Sequence, residues 1–192
     1  MKKFLLLFCV FLVGCGGFVA NFSKKELTKE QNIILNSGFE NGDYNYTEVP
    51  KHWYVINKPE ATIFWDNNLA HKGSKCLKVE YPNRPVNIIS ESFPAGANSV
   101  FYTRCYIKSE KYSKSAVTLH FYAFDDEGKK TDIFTKKIYP NKKWTPMEID
   151  VGFLKSAAQF ARVTIIFPED RENVYWIDDI EVYKMHTFKK RK

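Results

Sequence analysis

The stretch Val174-Tyr175-Trp176-Ile177-Asp178-Asp179-Ile180-Glu181-Val182 is the strongest strand signal in the chain. Its β-branched and aromatic residues suit a pleated, half-buried surface, so residues 174–183 are predicted to form a strand. Strict alternation places Trp176, Asp178, Ile180 and Val182 on one face and Asp179 on the other, with Trp176 expected in the core. Toward the amino terminus, residues 77–81, 100–107, 116–124, 147–151 and 161–167 have the same character. Turn signals lie between them, among them Pro94-Ala95-Gly96, Asp126-Glu127-Gly128, Pro140-Asn141 and Pro168-Glu169-Asp170. Only residues 152–160 hint at a short helix or turn. Six or more strands without a βαβ rhythm predict a single all-β domain, an antiparallel β-sandwich.

The ends of the chain carry a different message. Lys2 and Lys3 precede an unbroken apolar run over residues 4–13, then Gly14 and Cys15. Such a run is too short to cross a bilayer, which takes roughly 20 residues. It resembles a bacterial lipoprotein signal, which implies cleavage before Cys15 and lipid on that residue. The expectation is a signal peptide over 1–14, a lipidated Cys15 with a tether over 15–31, a domain over 32–183 and a basic tail over 184–192. Several acyl chains would hold the protein on a membrane, exported and outside the cytoplasm, at the cell envelope. Of the formal net charge of +7, two units belong to Lys2 and Lys3 and four to Lys189-Lys190-Arg191-Lys192. The body is therefore close to neutral, which argues against nucleic acid as a partner.

The segments Asn32-Ile33-Ile34-Leu35-Asn36-Ser37-Gly38-Phe39-Glu40-Asn41-Gly42, Pro50-Lys51-His52-Trp53, His71-Lys72-Gly73-Ser74 and Trp144-Thr145-Pro146 come in a particular order before the closing strand. With Tyr102-Thr103-Arg104-Cys105-Tyr106, they resemble the carbohydrate-binding modules of families 4, 9, 16 and 22, which are galactose-binding-like jelly rolls. The resemblance implies a structural calcium ion held at one edge by Glu40 and Asp178, with carbonyls from the loop around Lys72. It also implies a carbohydrate partner, stacked on aromatic rings and held by polar side chains.

Trp65, beside Asp66-Asn67-Asn68, is one candidate contact. On residues 101–107, Tyr102, Arg104 and Tyr106 share a face, and an arginine there is expected to be open to solvent or ligand. On residues 118–124, His120, Tyr122 and Phe124 share a face. The expected carbohydrate site is Trp65, Arg104, Tyr106, His120 and Tyr122, while Phe39, Trp53 and Trp144 are read as packing and Asn87 as a rim-loop residue. Cys76 and Cys105 can form one disulfide in an oxidising compartment if their strands are adjacent.

The acidic residues sit in turns or at the proposed calcium edge rather than paired across a cleft, and no nucleophile elbow, zinc-protease motif or phosphate loop is present. The expected protein is a non-enzymatic, membrane-tethered lipoprotein that binds a poly- or oligosaccharide. The alternative is a structural or protein-contact envelope lipoprotein whose partners are other envelope proteins and whose sandwich has no sugar site.

Overall fold

A computed structural model of the chain describes residues 31–42, 50–56 and 63–187. The expected signal peptide, Cys15 and nearly all of the tether lie outside the described residues, as do residues 188–192. Residues 184–187, expected to belong to the tail, instead extend the last strand.

Eleven strands build two antiparallel sheets. Sheet A runs in the order β1 (Trp53–Ile56), β4 (Val86–Ser90), β10 (Phe160–Phe167), β7 (Val117–Phe124), β8 (Lys130–Ile138), with β5 (Phe93–Pro94) also paired to β10. Sheet B runs β2 (Ile63–Asp66), β3 (Cys76–Glu80), β11 (Val174–Thr187), β6 (Ser99–Ser109), β9 (Thr145–Val151). The described residues contain no helix, and residues 152–159 form a turn-containing loop. The all-β antiparallel jelly-roll sandwich expected from the sequence is the fold observed.

Alternation along each strand makes the core. Phe101, Cys105 and Ile107 point inward from β6, and Leu119, Phe121 and Ala123 do so from β7. Phe101 and Phe121 meet across the two sheets with ring centroids 5.3 Å apart. Burying side chains of this size contributes about 1.5–3 kcal/mol each, so the inward stripes account for much of the stability.

The closing strand departs from strict alternation. Asp178 pairs with Tyr106 and Glu181 with Arg104, so β11 has three steps where β6 has two, and Asp179 has φ 47°. This β-bulge reverses which side chains face inward. Ile180 and Val182 enter the core, while Trp176 lies on the outer side, half buried, over Lys78 and Lys108. The expectation that Trp176 is a core residue is thereby corrected.

Where β3 leaves β11, the opening segment takes its place. Ile33 N–H donates to the Val182 carbonyl and Ile180 N–H to the Ser37 carbonyl. It pairs through these isolated bonds rather than as a regular strand. Phe39 is fully buried from this segment, as expected, and Trp53 is buried against it.

The disulfide expectation is also corrected. Cys76 on β3 and Cys105 on β6 are both free, with β11 between their strands. Two strand spacings put them about 9–10 Å apart, beyond the roughly 7 Å Cα limit for a bridge. Burial pushes both thiols well above their ordinary range.

Candidate functional site on the outer face of sheet A

The five expected sugar contacts are not one patch. Cys105 and Ile107 of β6 and Leu119 and Phe121 of β7 all point into the same core. Arg104 and Tyr106 therefore project from the outer side of sheet B, whereas His120 and Tyr122 project from the outer side of sheet A. At least about 10 Å of packed core separates the two.

On sheet B the expected open face is closed by internal contacts. Arg104 Nε donates to Glu181 Oε2 at 3.0 Å and its Nη2 donates to the same oxygen. Hydrogen bonding and charge from Glu181 raise the guanidinium pKa against the opposing effect of burial. The His71 ring stacks on Tyr106 at 3.7 Å between centroids, with the half-buried Trp144 edge-on to His71 at 5.6 Å. Trp144 is thus an outer-face residue rather than a core one. Trp65 packs against the core, donates from its indole to the Phe39 carbonyl, and has the Lys75 ammonium 3.9 Å from its ring centroid. Gly42 lies so close to that ring that a Cβ there would be 2.4 Å from it. These residues are engaged in holding the fold.

Glu40 and Asp178 reach one edge, as expected. Glu40 accepts from Ser74 N–H at 2.8 Å, Lys75 N–H at 3.1 Å and the Ser74 hydroxyl at 2.6 Å. Asp178 accepts from the amides of His71 at 2.8 Å, Lys72 at 3.2 Å and Asp179 at 2.7 Å. The loop thus turns N–H groups, not carbonyls, toward both carboxylates. Burial pushes the Asp178 carboxyl up to about 6, with hydrogen bonds from Asp179, Lys72 and His71 opposing that rise. Oxygens of Asp178 and Asp179 and the Glu40 Cγ border Gly38 within 4 Å of its Cβ direction. Asp178 and Asp179 are buried and Glu40 is exposed, and carboxylate oxygens of this kind are the ligands a hard cation takes. The N–H donors compete for the same lone pairs, and among the described residues no group of three or more His, Cys, Asp or Glu side chains is arranged to hold a metal.

Sheet A presents a different surface. Register sets Tyr54, Ile89, Thr164, His120 and Thr135 in one row across the five strands. Arg162, Tyr122 and Ile133 form the row on one side of it, and Ile56, Asn87, Ile166, Thr118 and Lys137 the row on the other. Tyr54 is 55% exposed. His120 and Tyr122 stack at 4.9 Å, and Phe124 and Phe160 stack at 5.2 Å. Arg162 lies 5.8 Å from each of those phenylalanine rings.

An open groove of about 580 Å³ runs over β1 and β4, bordered by Tyr54, Ile56, Ile89, Glu91 and Arg162. Nearby, the Asn87 side-chain carbonyl is buried with no hydrogen-bond partner among the described residues. Asn87 lies mid-strand in β4, not on a rim loop. Burial, then the charges of Lys130 and Lys137, hold the His120 pKa below the ordinary histidine value. The face combines aromatic surfaces with amide, carboxylate, imidazole and guanidinium groups. Tyr54, Asn87 and Arg162 were absent from the sequence-based site, although the alternation around Arg162 in Phe160–Phe167 carried the signal.

No family model matches the chain, and no curated protein matches it. Solved structures do. A family 61 carbohydrate-binding module in complex with β-1,4-galactotriose is 15% identical, with TM-score 0.54, over 80% of this chain and 99% of that one. The CBM22-1 xylan-binding domain of Paenibacillus barcinonensis Xyn10C is 13% identical, with TM-score 0.54, over 83% and 99%. An arabinose-bound GH51 α-L-arabinofuranosidase is 15% identical, with TM-score 0.60, over 83% of this chain but only 27% of that enzyme. At these identities the likeness is one of fold, the jelly-roll β-sandwich that these carbohydrate-binding modules also have.

Proposed function

We propose that the protein is a non-catalytic glycan-binding lipoprotein whose sugar site is the outer face of sheet A. The observation that carries this reading is the juxtaposition of exposed Tyr54 and the stacked His120–Tyr122 pair with the groove over β1 and β4. A pyranose ring offers a weakly polar C–H face to an aromatic ring, and its hydroxyls need acceptors and donors. Asn87 and Glu91 supply acceptors here, and Arg162 supplies donors. The modules similar in fold, described by their names as binding xylan or galactotriose, lend support. Binding of this kind needs no nucleophile and no pair of carboxylates across a cleft.

Cys15 would carry the lipid that anchors the domain at the bacterial cell envelope. Calcium at the Glu40–Asp178 edge would have to displace the loop N–H donors from those carboxylates; bound there it would be structural and would offset the buried charge of Asp178. Calcium is then expected to raise the melting temperature by about 5 °C, an effect of ligand linkage that Glu40→Ala removes. An unchanged melting curve with calcium or chelator would exclude the ion. The test of the main reading is a polysaccharide pull-down and glycan array with the full chain. Retention of a glycan, lost in Tyr122→Ala and Tyr54→Ala but kept in Tyr106→Ala, is expected. Loss in Tyr106→Ala alone would move the site to sheet B.

A further inference from the structure

The two outer faces treat their cations differently. On sheet B, Arg104 is paired with Glu181, Lys72 lies 3.6 Å from Asp179 and 3.8 Å from Glu181, and Lys78 is paired with Glu80, while Lys108 lies over Trp176 without an ion pair among the described residues. On sheet A, Lys130, Lys137 and Arg162 form no ion pair among the described residues. Lys130 instead lies 4.0 Å from the centroid of Tyr122, and Arg162 sits beside Phe124 and Phe160. Register brings the three cations to the β8–β7–β10 side of the face, around His120 and Tyr122. The groups that accept hydrogen bonds, Asn87 and Glu91, lie on β4 or just after it, on the side of the groove.

A protein whose body is close to neutral thus gathers three cations without ion pairs among the described residues beside half-buried rings on this face. Cation–π contacts leave the N–H donors of Lys130 and Arg162 free to meet an anion. A guanidinium meets a carboxylate or sulfate with two parallel hydrogen bonds.

Resting on the glycan reading of this same face, we infer that its ligand is an acidic polysaccharide. Its carboxylate or sulfate groups would meet Arg162, Lys130 and Lys137, its ring faces the His120–Tyr122 pair, and its hydroxyls Asn87 and Glu91. The fold and the acceptor groups of β4 favour a polyhydroxylated chain over a nucleic acid strand, which has little use for Glu91.

The test measures binding of the full chain to polygalacturonate, to the same polymer with its carboxyl groups reduced to alcohols, and to single-stranded DNA. Polygalacturonate is expected to bind at least about tenfold more tightly than its reduced form, with a comparable loss on raising salt from about 0.05 to 0.3 M. Lys130→Gln with Arg162→Gln is expected to abolish that preference with an unchanged melting curve. Lys137→Gln alone provides a milder variant should the pair unfold. Equal, salt-insensitive binding of both polymers would overturn the acidic-glycan inference and leave the glycan reading standing. Failure to bind either polymer or any array glycan would overturn both. Tighter binding to DNA than to polygalacturonate would replace the inference with a nucleic acid surface.

Discussion

Arg104 and Arg162 both occupy outward-facing strand positions beside aromatic rings, yet their surroundings assign them opposite roles. Arg104 is held by Glu181, the two side chains being 17% and 12% exposed, so it closes its face. Arg104→Ala would strip a mostly buried carboxylate of its closest partner, leaving it Lys72 at 3.8 Å, and is expected to cost about 2 kcal/mol in denaturant unfolding, with glycan binding unchanged. A stable Arg104→Ala protein that has lost its glycan would contradict this assignment. His120 gives a pH prediction. Burial and the nearby Lys130 and Lys137 charges hold its folded pKa below 6.5, so the unfolded chain takes up the proton first as pH falls through that value. Stability should therefore decline below about pH 6.5 and level off once the folded protein is protonated too. Urea titrations across this range should show His120→Gln losing less stability than wild type, and equal slopes would refute the assignment. Residue types in the sequence revealed that arginine, histidine and tyrosine on strands matter. They could not reveal that Glu181, seventy-seven positions from Arg104, supplies its partner.

At the scale of elements, the bulge in β11 does the most to shape the molecule. Asp179 takes up a left-handed conformation, which Asp tolerates better than most residues, and this turns Ile180 and Val182 inward while Trp176 stays outside. Deleting Asp179 removes the extra residue, so Ile180 falls opposite Cys105 in a regular ladder and, with Val182, still faces the core; the variant is expected to keep the near-ultraviolet circular dichroism of the folded domain. A deletion variant without native spectra would show that the extra residue itself, and not only the inward side chains around it, is needed for folding. The same sheet order keeps Cys76 and Cys105 apart, so both thiols should react with a thiol reagent in denaturant without prior reduction and be protected in the native protein. A missing pair of thiols would contradict the sheet order. The strongly apolar strands were legible from sequence because both their composition and their period mark them. β8, Lys130–Ile138, was not, since an edge strand carrying lysines on an exposed face shows little apolar alternation. Short β1, β2 and β4 gave too few residues to establish a period.

At the scale of the whole molecule, the sandwich divides its labour between two outer faces. Sheet B is tied down by ion pairs, the His71–Tyr106 stack and the loop that covers Asp178, while sheet A keeps Tyr54 and three cations exposed beside the half-buried His120–Tyr122 pair. Strand alternation in the sequence correctly paired Arg104 with Tyr106 and His120 with Tyr122. Which of those stripes share a side depends on sheet assignment, and that is fixed by long-range pairing rather than by local pattern. The proposed glycan site lies on the outer face of sheet A. The most direct test is a backbone amide NMR titration of the protein with a polysaccharide retained in the pull-down. Shifts concentrated at Tyr54, Asn87, His120, Tyr122 and Arg162 are the predicted result. Shifts concentrated at Arg104, Tyr106, Trp144 and Trp176 would place the ligand on sheet B and contradict the account.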